Sequence, residues 1–512
     1  KGSYTISVSY VGYETEKISF EVQNKDVDLI INLNSTTLEI VNLTSDLAEF
    51  RKTPVSLTTV KIDKIQNELA GQEMPTLLNS TPGVYVTQQG GGDGDVRVNI
   101  RGFNQRNVAV MIDGIPMNDM ENGWVYWSNW FGLDAITASM QVQRGLGASK
   151  LALPSVGGTI NIITKGVGSD EGGSIKQELG SGSYLRTSFG YTSKDFKIGK
   201  FNIAGSFKRS DGIVDATFSE GYFYYLKWQK QLNNHLFSLS IFGAPQEHGQ
   251  RKFPVEISRF DKNLAAELGV DTTGTEGGYG LNYNPNWGSY NNYQVVFDQN
   301  GNSSDTIWGK NQDIYRHVNY YHKPNFSFQH LWEVNNKVSI TNILYYSSGN
   351  GGGTDLYTRP TGLQYDENNQ INFQQFYDVN SGNEREFIFG EWTDFSIDPL
   401  YSDVEHKATQ FLTSSINNHS WAGLLSTLNY KLNRTLDLAT GLDIRTYRGE
   451  HYREVYDLLG GDYFEGSLGT GGKNSVGENS DNLMLREGDK LYYHNDGIVK
   501  WIGGFGQLEY NL

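Results

Sequence analysis

Histidine and carboxylate side chains are the residues best suited to acid–base chemistry or metal binding. The nine histidines are scattered along the chain. His317 and His322 would point to opposite faces of a strand, whereas His322 and His330 would share a face but lie about 26 Å apart at ~3.3 Å per residue. Two acidic pairs fall in predicted loops: Asp211 with Asp215, and Asp355 with Asp366. The sequence contains no H-E-x-x-H, nucleophile-elbow or P-loop motif and no cysteine. We therefore predict no enzymatic activity, no catalytic residues, no metal site and no cofactor.

Aromatic and amide side chains are better candidates, and they suit ligand binding. Tryptophans crowd the segment 121–131 and could form a platform for rings or sugars, or else pack against a neighbouring part of the protein. Asn and Tyr dominate 282–292, which suits a glycan or peptide ligand, although packing between loops is an equal alternative. The predicted ligand contacts are Asn104, Gln105, Arg106, Trp124, Trp127, Trp130, Tyr283, Trp287 and Tyr290.

Composition narrows the class of protein. The net charge of −16 argues against nucleic acid as a partner. Hydrophobic residues make up only 37%, and no stretch approaches the ~18 apolar residues of a membrane helix. Aromatic residues at 13% and 59 glycines suit a transmembrane β-barrel, whose strands alternate lipid-facing and lumen-facing residues. A soluble β-rich protein, such as a secreted carbohydrate-binding sandwich, would explain the same composition.

The segment 96–165 is predicted to be a compact mixed α/β unit. Residues 96–101 alternate apolar and polar side chains, 108–112 is an unbroken apolar run, and 159–164 is rich in β-branched residues. Asp113-Gly114 predicts a tight turn. Upstream, 63–70 and 75–79 read as short helices.

The order of the Gly turns in this segment resembles the plug domain of TonB-dependent outer-membrane receptors. The matching residues are Arg101-Gly102, Asp113-Gly114, Arg144-Gly145 and Gly157-Gly158-Thr159-Ile160-Asn161-Ile162. The resemblance implies a plug over 53–166, with Arg101 and Arg144 paired to glutamates of a surrounding barrel wall. The alternatives are a free-standing soluble α/β domain and arginines that make ordinary surface contacts.

The N-terminal part contains two further predicted regions. Residues 1–34 alternate in short strands and resemble part of the Ig-like, carboxypeptidase-regulatory-like β-sandwich that precedes the plug in many Bacteroidetes receptors. Residues 35–52 form a polar connector that could also be a plain linker. At this position the resemblance implies a TonB box, which the energised inner-membrane partner TonB pulls: Leu38, Glu39, Ile40, Val41, Asn42, Leu43 and Thr44.

Residues 167–512 are predicted to form amphipathic strands of a transmembrane antiparallel barrel. We expect strands near 173–180, 184–192, 200–209, 221–230, 235–243, 319–331, 337–347, 417–430, 436–447 and 500–511. Short turns and longer connections alternate between them, as in membrane barrels with tight periplasmic turns and long outer loops. Because the resemblance implies about 22 strands, we expect the N-terminal half of the barrel here.

The resemblance implies TonB-dependent import of a bulky nutrient, such as a glycan, peptide, siderophore or cobalamin, through a plugged barrel in the outer membrane. The N-terminal domain would lie in the periplasm, and a surface lipoprotein is a possible further partner. The alternative function is a plugged barrel that docks a surface lipoprotein or a secretion assembly and transports nothing.

Overall fold

The computed structural model describes most of the chain. The residues outside the description are 1, 9–15, 23–26, 28, 30, 32–55, 90–91, 93, 95, 146–154, 168–170, 253–254, 274–275, 361–363, 385, 389–390, 467–483 and 511–512. The predicted TonB box, Leu38–Thr44, therefore lies outside the described residues. Among the residues that are described, none of the helices combines the length and apolar character needed to cross a bilayer.

The N-terminal region contains an antiparallel hairpin of strands β1 (Gly2–Val8) and β2 (Glu16–Val22). Tyr4 lies opposite Phe20 with ring centroids 6.2 Å apart. Much of the rest of the predicted region 1–34 falls outside the described residues. The partial β-sandwich over 1–34 accordingly stays a prediction.

The plug region, residues 56–167, combines short strands with short helices. Its strands are β3 (Ser56–Lys61), β4 (Val84–Thr87), β5 (Arg97–Ile100), β6 (Phe103–Asn104), β7 (Val108–Ile112), β8 (Ile115–Pro116), β9 (Thr137–Arg144) and β10 (Gly158–Thr164). Helix α1 spans Ile62–Glu68, and 3₁₀ helices span Met74–Ser80, Gln105–Asn107, Trp127–Trp130 and Leu133–Ala135. One sheet has the order β3-β9-β10-β7-β8, and β4-β5-β6 form a second. Every residue of β7 and β10 is buried, which confirms the predicted apolar central strands.

The Asp113-Gly114 turn ties the plug sheet together. Both residues have positive φ, 49° and 79°, as the predicted tight turn requires. The Asp113 carboxylate accepts the Thr164 backbone N–H at 2.8 Å and the Thr164 hydroxyl at 2.6 Å. The turn of one central strand is thus bonded to the end of its parallel neighbour.

The rest of the chain forms a twelve-stranded antiparallel sheet, here called the wall, and the loops that leave it. The twelve wall strands are β11 (Gly172–Gly180), β12 (Tyr184–Thr192), β13 (Lys200–Ser210), β14 (Ser219–Leu232), β15 (His235–Gly243), β16 (Gln246–Gly249), β19 (Val318–His322), β20 (Asn325–Asn335), β21 (Val338–Leu356), β24 (Leu412–Lys431), β25 (Leu436–Asp457) and β28 (Lys490–Tyr510). The loops contain three two-stranded sheets, formed by β17 (Trp287–Phe297) with β18 (Ser303–Tyr315), β22 (Glu386–Ile388) with β23 (Glu391–Thr393), and β26 (Phe464–Glu465) with β27 (Met484–Leu485). The loop helices are α2 (Ile257–Phe260), α3 (Lys262–Glu267) and α4 (Phe373–Asn380).

Ten wall strands form one path, β11-β12-β13-β14-β15-β20-β21-β24-β25-β28, and β16 and β19 pair beside it. The ten correspond to the ten predicted strands. The strand expected at 319–331 is divided, because Pro324 has no N–H for the ladder between β19 and β20. The predicted sorting of connections is also present. Short turns follow β12, β14, β20 and β24 at one end of the wall, and three long loops leave the other end.

The wall has an apolar outer face and an inner face that packs on the plug region. On β21, Leu344 and Tyr346 are exposed outward, and the apolar band ends where Ser348 pairs with Ser420. On β25, the residue at the same level is Arg448, which pairs with Ser420 and has a side chain that is 64% exposed. Such a band is typical of strands that contact lipid. Residues beyond this level lie on the loop side of the apolar band.

A single hydrophobic core joins the plug region to the wall. It includes Ile112 and Ile160 from the plug sheet and Phe223, Tyr345 and Trp421 from the wall. The mostly β fold class, with a barrel-type wall around an α/β plug, is therefore confirmed. The long loops add a separate core beyond the band, formed by residues such as Tyr290, Phe373 and Tyr377.

Candidate ligand-binding site

A cavity of about 280 Å³ lies between the tip of the plug region and the loop side of the wall. On the plug side it is lined by residues between Met117 and Trp130. The wall contributes polar and aromatic side chains from β19, β21, β24 and β25. The charged, aromatic and amide residues that line the cavity are Asp119, Asn122, Trp124, Tyr126, Asn129, Trp130, Lys252, Asn319, Tyr321, Lys323, Asp355, Asn417, His419, Tyr447 and His451.

A tight acidic turn shapes the plug side of the cavity. Asp119 Oδ1 accepts the backbone N–H groups of Glu121 at 2.9 Å and Asn122 at 3.0 Å. The Asp119 N–H donates to the Trp124 carbonyl at 2.9 Å, and Gly123 closes the turn with φ of 72°. These local bonds present the second Asp119 oxygen and the Glu121 carboxylate to the wall.

Two residues of β25 meet this turn. The Tyr447 hydroxyl lies 3.3 Å from Asp119 Oδ2 and 3.4 Å from Glu121 Oε2. His451 Nε2 lies 2.6 Å from Glu121 Oε2, and its Nδ1 is 2.8 Å from Asn417 Oδ1. The carboxylates of the turn therefore already have partners on the protein.

Tyr321 and His419 form a second polar contact in the cavity wall. The Tyr321 hydroxyl donates to the Asn417 carbonyl at 2.8 Å, so it must accept from His419 Nδ1, 3.0 Å away. His419 lies beyond the apolar band, and burial of its ring, together with the nearby groups Lys323 and His451, lowers its pKa to about 2. The imidazole is therefore neutral, with its proton on Nδ1.

Lys323 supplies the buried positive charge of the cavity. Only 4% of the residue is exposed. Its ammonium lies 5.4 Å from the ring centroid of Trp130 and 5.2 Å from that of Trp421, both distances suited to cation–π contact. Lys323 precedes β20 on the loop side of the apolar band. Burial lowers its pKa to about 8, against the opposing attraction of Asp119.

The predicted ligand contacts on the plug have different surroundings. Trp124 and Trp130 line the cavity. The guanidinium of Arg106 lies 5.1 Å from the Trp124 ring centroid, and its backbone N–H donates to Asn104 Oδ1 at 3.1 Å. Two others are buried in the plug core, where they bond to each other: Trp127 donates to Gln105 at 3.3 Å. Contact of Gln105 and Trp127 with a ligand would need the core to open.

The three predicted loop residues do not reach this cavity. Tyr283 is buried, and its hydroxyl donates to the Asn369 carbonyl at 2.6 Å. Tyr290 is buried against Tyr377 with ring centroids 4.9 Å apart. Trp287 begins β17 opposite Tyr315. These contacts fit the alternative interpretation, in which the three residues pack between loops. Ligand binding at the three residues stays a prediction.

The predicted plug arginines have local contacts in the described structure. Arg101 occupies the positive-φ position of the β5–β6 turn, at φ of 52°. Arg144 donates from Nη1 to the Pro82 carbonyl at 2.8 Å. Across the described part of the chain, neither arginine lies within ion-pair distance of a carboxylate. Their pairing with wall glutamates stays a prediction.

The ion pairs that do join plug to wall have the opposite polarity. Asp134 receives two hydrogen bonds from the Arg186 guanidinium of β12, at 2.9 and 3.1 Å. Lys227 of β14 lies 3.5 Å from Asp113 Oδ2 and donates to the Thr164 hydroxyl at 3.0 Å. In these pairs the plug carries the carboxylate and the wall carries the cation.

A possible metal-binding group lies outside the cavity. Glu450, His494 and Asp496 place ligand atoms within 4.8 Å of one another. Lys490 lies 3.5 Å from Glu450, and Arg448 lies 2.7 Å from Asp496. Because these cations already neutralise the carboxylates, the group does not support a metal site.

Sequence reasoning missed most of the wall residues of the cavity. Tyr321, Lys323, His419, Tyr447 and His451 are spread over three strands and about 130 positions, so no spacing motif connects them. Pro324 was a usable signal, because it breaks the predicted strand next to Lys323. Only pairing of the strands brings the other residues together.

Comparisons with known proteins identify the inner domain. A family model described as the TonB-dependent receptor plug domain matches residues 49–159. The matched residues overlap the predicted plug over 53–166, whose bounds stay a prediction.

Curated relatives match about a third of the chain. A vitamin B12 transporter of Vibrio vulnificus (strain CMCP6) is 28% identical over 159 residues, covering 31% of the chain and 26% of the transporter. A ferric enterobactin receptor of Pseudomonas aeruginosa (strain PAO1) is 24% identical over 181 residues, covering 32% of the chain and 24% of the receptor. The aligned segment thus spans only about a quarter of these relatives' length.

Solved receptors share the fold over nearly the whole chain. The ferripyoverdine receptor of the Pseudomonas aeruginosa outer membrane aligns with a TM-score of 0.53 at 13% identity, covering 91% of the chain and 51% of the receptor. An unliganded ferric citrate transporter aligns with a TM-score of 0.50 at 13% identity, covering 89% of the chain and 54% of the transporter. The chain spans about half the length of these plugged barrels.

Proposed function

We propose that the protein imports a bulky nutrient across the outer membrane in a TonB-dependent manner and carries out no covalent chemistry. The observation that carries this proposal is the position of the cavity, between the tip of a plug domain and the loop side of a barrel wall. A ligand bound there touches the element that must move before anything can pass. The relatives that transport vitamin B12 or bind ferric enterobactin support transport as the class of function.

The energy input is proposed to enter through Leu38–Thr44 in the periplasm. An extended segment with alternating apolar side chains can add as a strand to the sheet edge of a partner protein. TonB would be that partner, and its pull would loosen the plug after ligand binding. The N-terminal domain would face the periplasm, and the long loops would face the outside.

A matched pair of proline variants tests the proposal. Ile40→Pro removes a backbone donor within the segment, whereas Ser35→Pro makes the same change outside it. The purified receptor is mixed with the periplasmic domain of TonB, and co-precipitation is measured. We expect Ile40→Pro to abolish binding and Ser35→Pro to retain it. Equal binding by both variants would refute the energy-coupling segment.

Native purification distinguishes import from the alternative function. The protein is extracted from membranes in mild detergent, and co-purifying molecules are identified by mass spectrometry. Import predicts a small or oligomeric nutrient bound at a stoichiometry of about one. A large protein assembly without such a ligand would favour a docking subunit that transports nothing.

A further inference from the structure

The charged groups that line the cavity are not equally satisfied. Asp119 accepts two backbone N–H groups and lies beside the Tyr447 hydroxyl. Asp355 accepts a hydrogen bond from Arg316 at 2.7 Å. Each carboxylate that lines the cavity therefore has hydrogen-bond donors from the protein. A ligand is not needed to neutralise either of them.

Lys323 differs from these carboxylates. Its ammonium carries three donors, and in the described structure it has no hydrogen-bond acceptor within reach. The indole rings of Trp130 and Trp421 stabilise the positive charge but offer no oxygen. Since a buried ammonium without acceptors is costly, the cavity is suited to a partner that brings an oxygen acceptor to this position.

The neighbouring groups restrict what that acceptor is. At this position, the Lys323 ammonium between two indoles provides one positive charge and an apolar frame. Lys252, the other lysine that lines the cavity, already has an interaction of its own within the protein. Phosphate dianions are usually bound by several donors or by the guanidinium fork of arginine. The neutral His419 ring adds no charge. A singly charged carboxylate therefore matches the site better than a phosphate does.

We propose that Lys323 determines ligand specificity in this cavity by binding a carboxylate group of the imported molecule. The proposal rests on the proposed function only in that the ligand is an imported molecule. Binding of the carboxylate itself can be measured without transport. A carboxylate-bearing nutrient would pair one oxygen with the Lys323 ammonium while the rest of the molecule lies toward Trp124 and the plug turn.

The test uses acetate as the probe and the full chain in detergent micelles. Binding of ¹³C-acetate is measured by saturation-transfer NMR for the wild type, Lys323→Met, Lys323→Arg and Lys490→Met. Lys490 is a matched control, because its ammonium also lies over an aromatic ring, 4.2 Å from the Tyr452 centroid, but it does not line the cavity. We expect Lys323→Met to weaken acetate binding at least about tenfold, and the other two variants to bind like the wild type.

A further variant guards against misfolding as the explanation. Asp119→Asn removes a negative charge near Lys323. At pH 6, well below the Lys323 pKa of about 8, the ammonium stays protonated, so acetate should bind about threefold or more tightly, a gain that a misfolded protein would not show. Equal acetate binding in the wild type and Lys323→Met would overturn the proposal. Inorganic phosphate competing more strongly than acetate would overturn the carboxylate assignment. Equal TonB binding by Ile40→Pro and Ser35→Pro, together with the acetate binding expected here, would refute the energy-coupling segment and leave the assignment of Lys323 standing.

Discussion

The plug is attached differently to the two sides of the wall. On the side of β12 and β14, it is held by charged pairs whose cations are almost fully buried: the side chains of Arg186 and Lys227 are 5% and 6% exposed, and those of Asp134 and Asp113 are 14% and 15% exposed. On the side of β25, the contact of Glu121 with His451 joins side chains that are 24% and 29% exposed. The ligand cavity lies on this second side.

The difference indicates which contacts resist separation and which yield. A buried pair that loses one partner leaves an uncompensated charge away from water, which costs several kcal/mol. In a partly exposed pair, each group can exchange its partner for water at little cost in free energy. A pull on the N-terminus would therefore separate the plug first from the β25 side, where ligand is proposed to bind. The β12–β14 side would act as the anchor.

The largest expected effect comes from breaking the anchor at Asp134. Asp134→Asn leaves the buried Arg186 guanidinium without its bidentate partner, and only Glu178, 3.7 Å away, remains as a carboxylate. We expect the free energy of unfolding to fall by about 3 kcal/mol. The purified chain is unfolded with guanidinium in detergent, and tryptophan fluorescence monitors the unfolding.

The control for this prediction is an exposed pair of similar geometry. Arg448 and Asp496 lie 2.7 Å apart, with side chains 64% and 34% exposed. Asp496→Asn should change the free energy of unfolding by less than about 1 kcal/mol. Equal losses in the two variants would mean that burial does not distinguish the anchor.

A smaller effect is expected at the second anchor. Lys227→Met removes the cation, but Asp113 keeps both hydrogen bonds from Thr164. Because those bonds continue to satisfy the carboxylate, we expect a loss of about 2 kcal/mol in the same unfolding assay. Asp113→Asn, which also disturbs the bonds to Thr164, should cost more. A reversed order would show that Lys227 rather than Thr164 is the main partner of Asp113.

The sequence was sufficient to predict the fold because its signals are local. Alternation along a strand, the Asp113-Gly114 turn and the apolar run of β7 depend on neighbouring residues, and the structure confirms each. The ten wall strands could be predicted for the same reason. The division at Pro324 was missed because the surrounding alternation continues through it, although proline cannot donate to the ladder.

The site was less accessible to sequence reasoning, because its partners are set by strand pairing. Trp124 and Trp130 were found through their clustering. Lys323 and Tyr447 carry no local sign that they face the same cavity. The polarity of the anchors was missed for a related reason: Asp134 and Arg186 are 52 positions apart, and only the packing of plug on wall shows that they meet.

The smallest expected effect on stability lies at the yielding contact. Glu121→Gln keeps the size of the side chain but removes the charge that faces His451 and Tyr447. Since the pair is partly exposed, we expect less than about 1 kcal/mol of lost stability. The local consequence should be clearer than the global one. Amide hydrogen exchange in the turn at 119–124 should become faster, whereas exchange in β7 and β10 should stay unchanged.

This last measurement separates a yielding contact from a second anchor. If Glu121 only closes the ligand side of the plug, faster exchange stays confined to the turn, and the Asp134→Asn and Glu121→Gln losses add in the double variant because the sites do not share partners. If exchange also rises in β7 and β10, the plug is held from both sides, and a pull would have to break both contacts at once. His494→Gln, at a partly exposed histidine outside the cavity, is the matched control and should leave exchange in the turn unchanged.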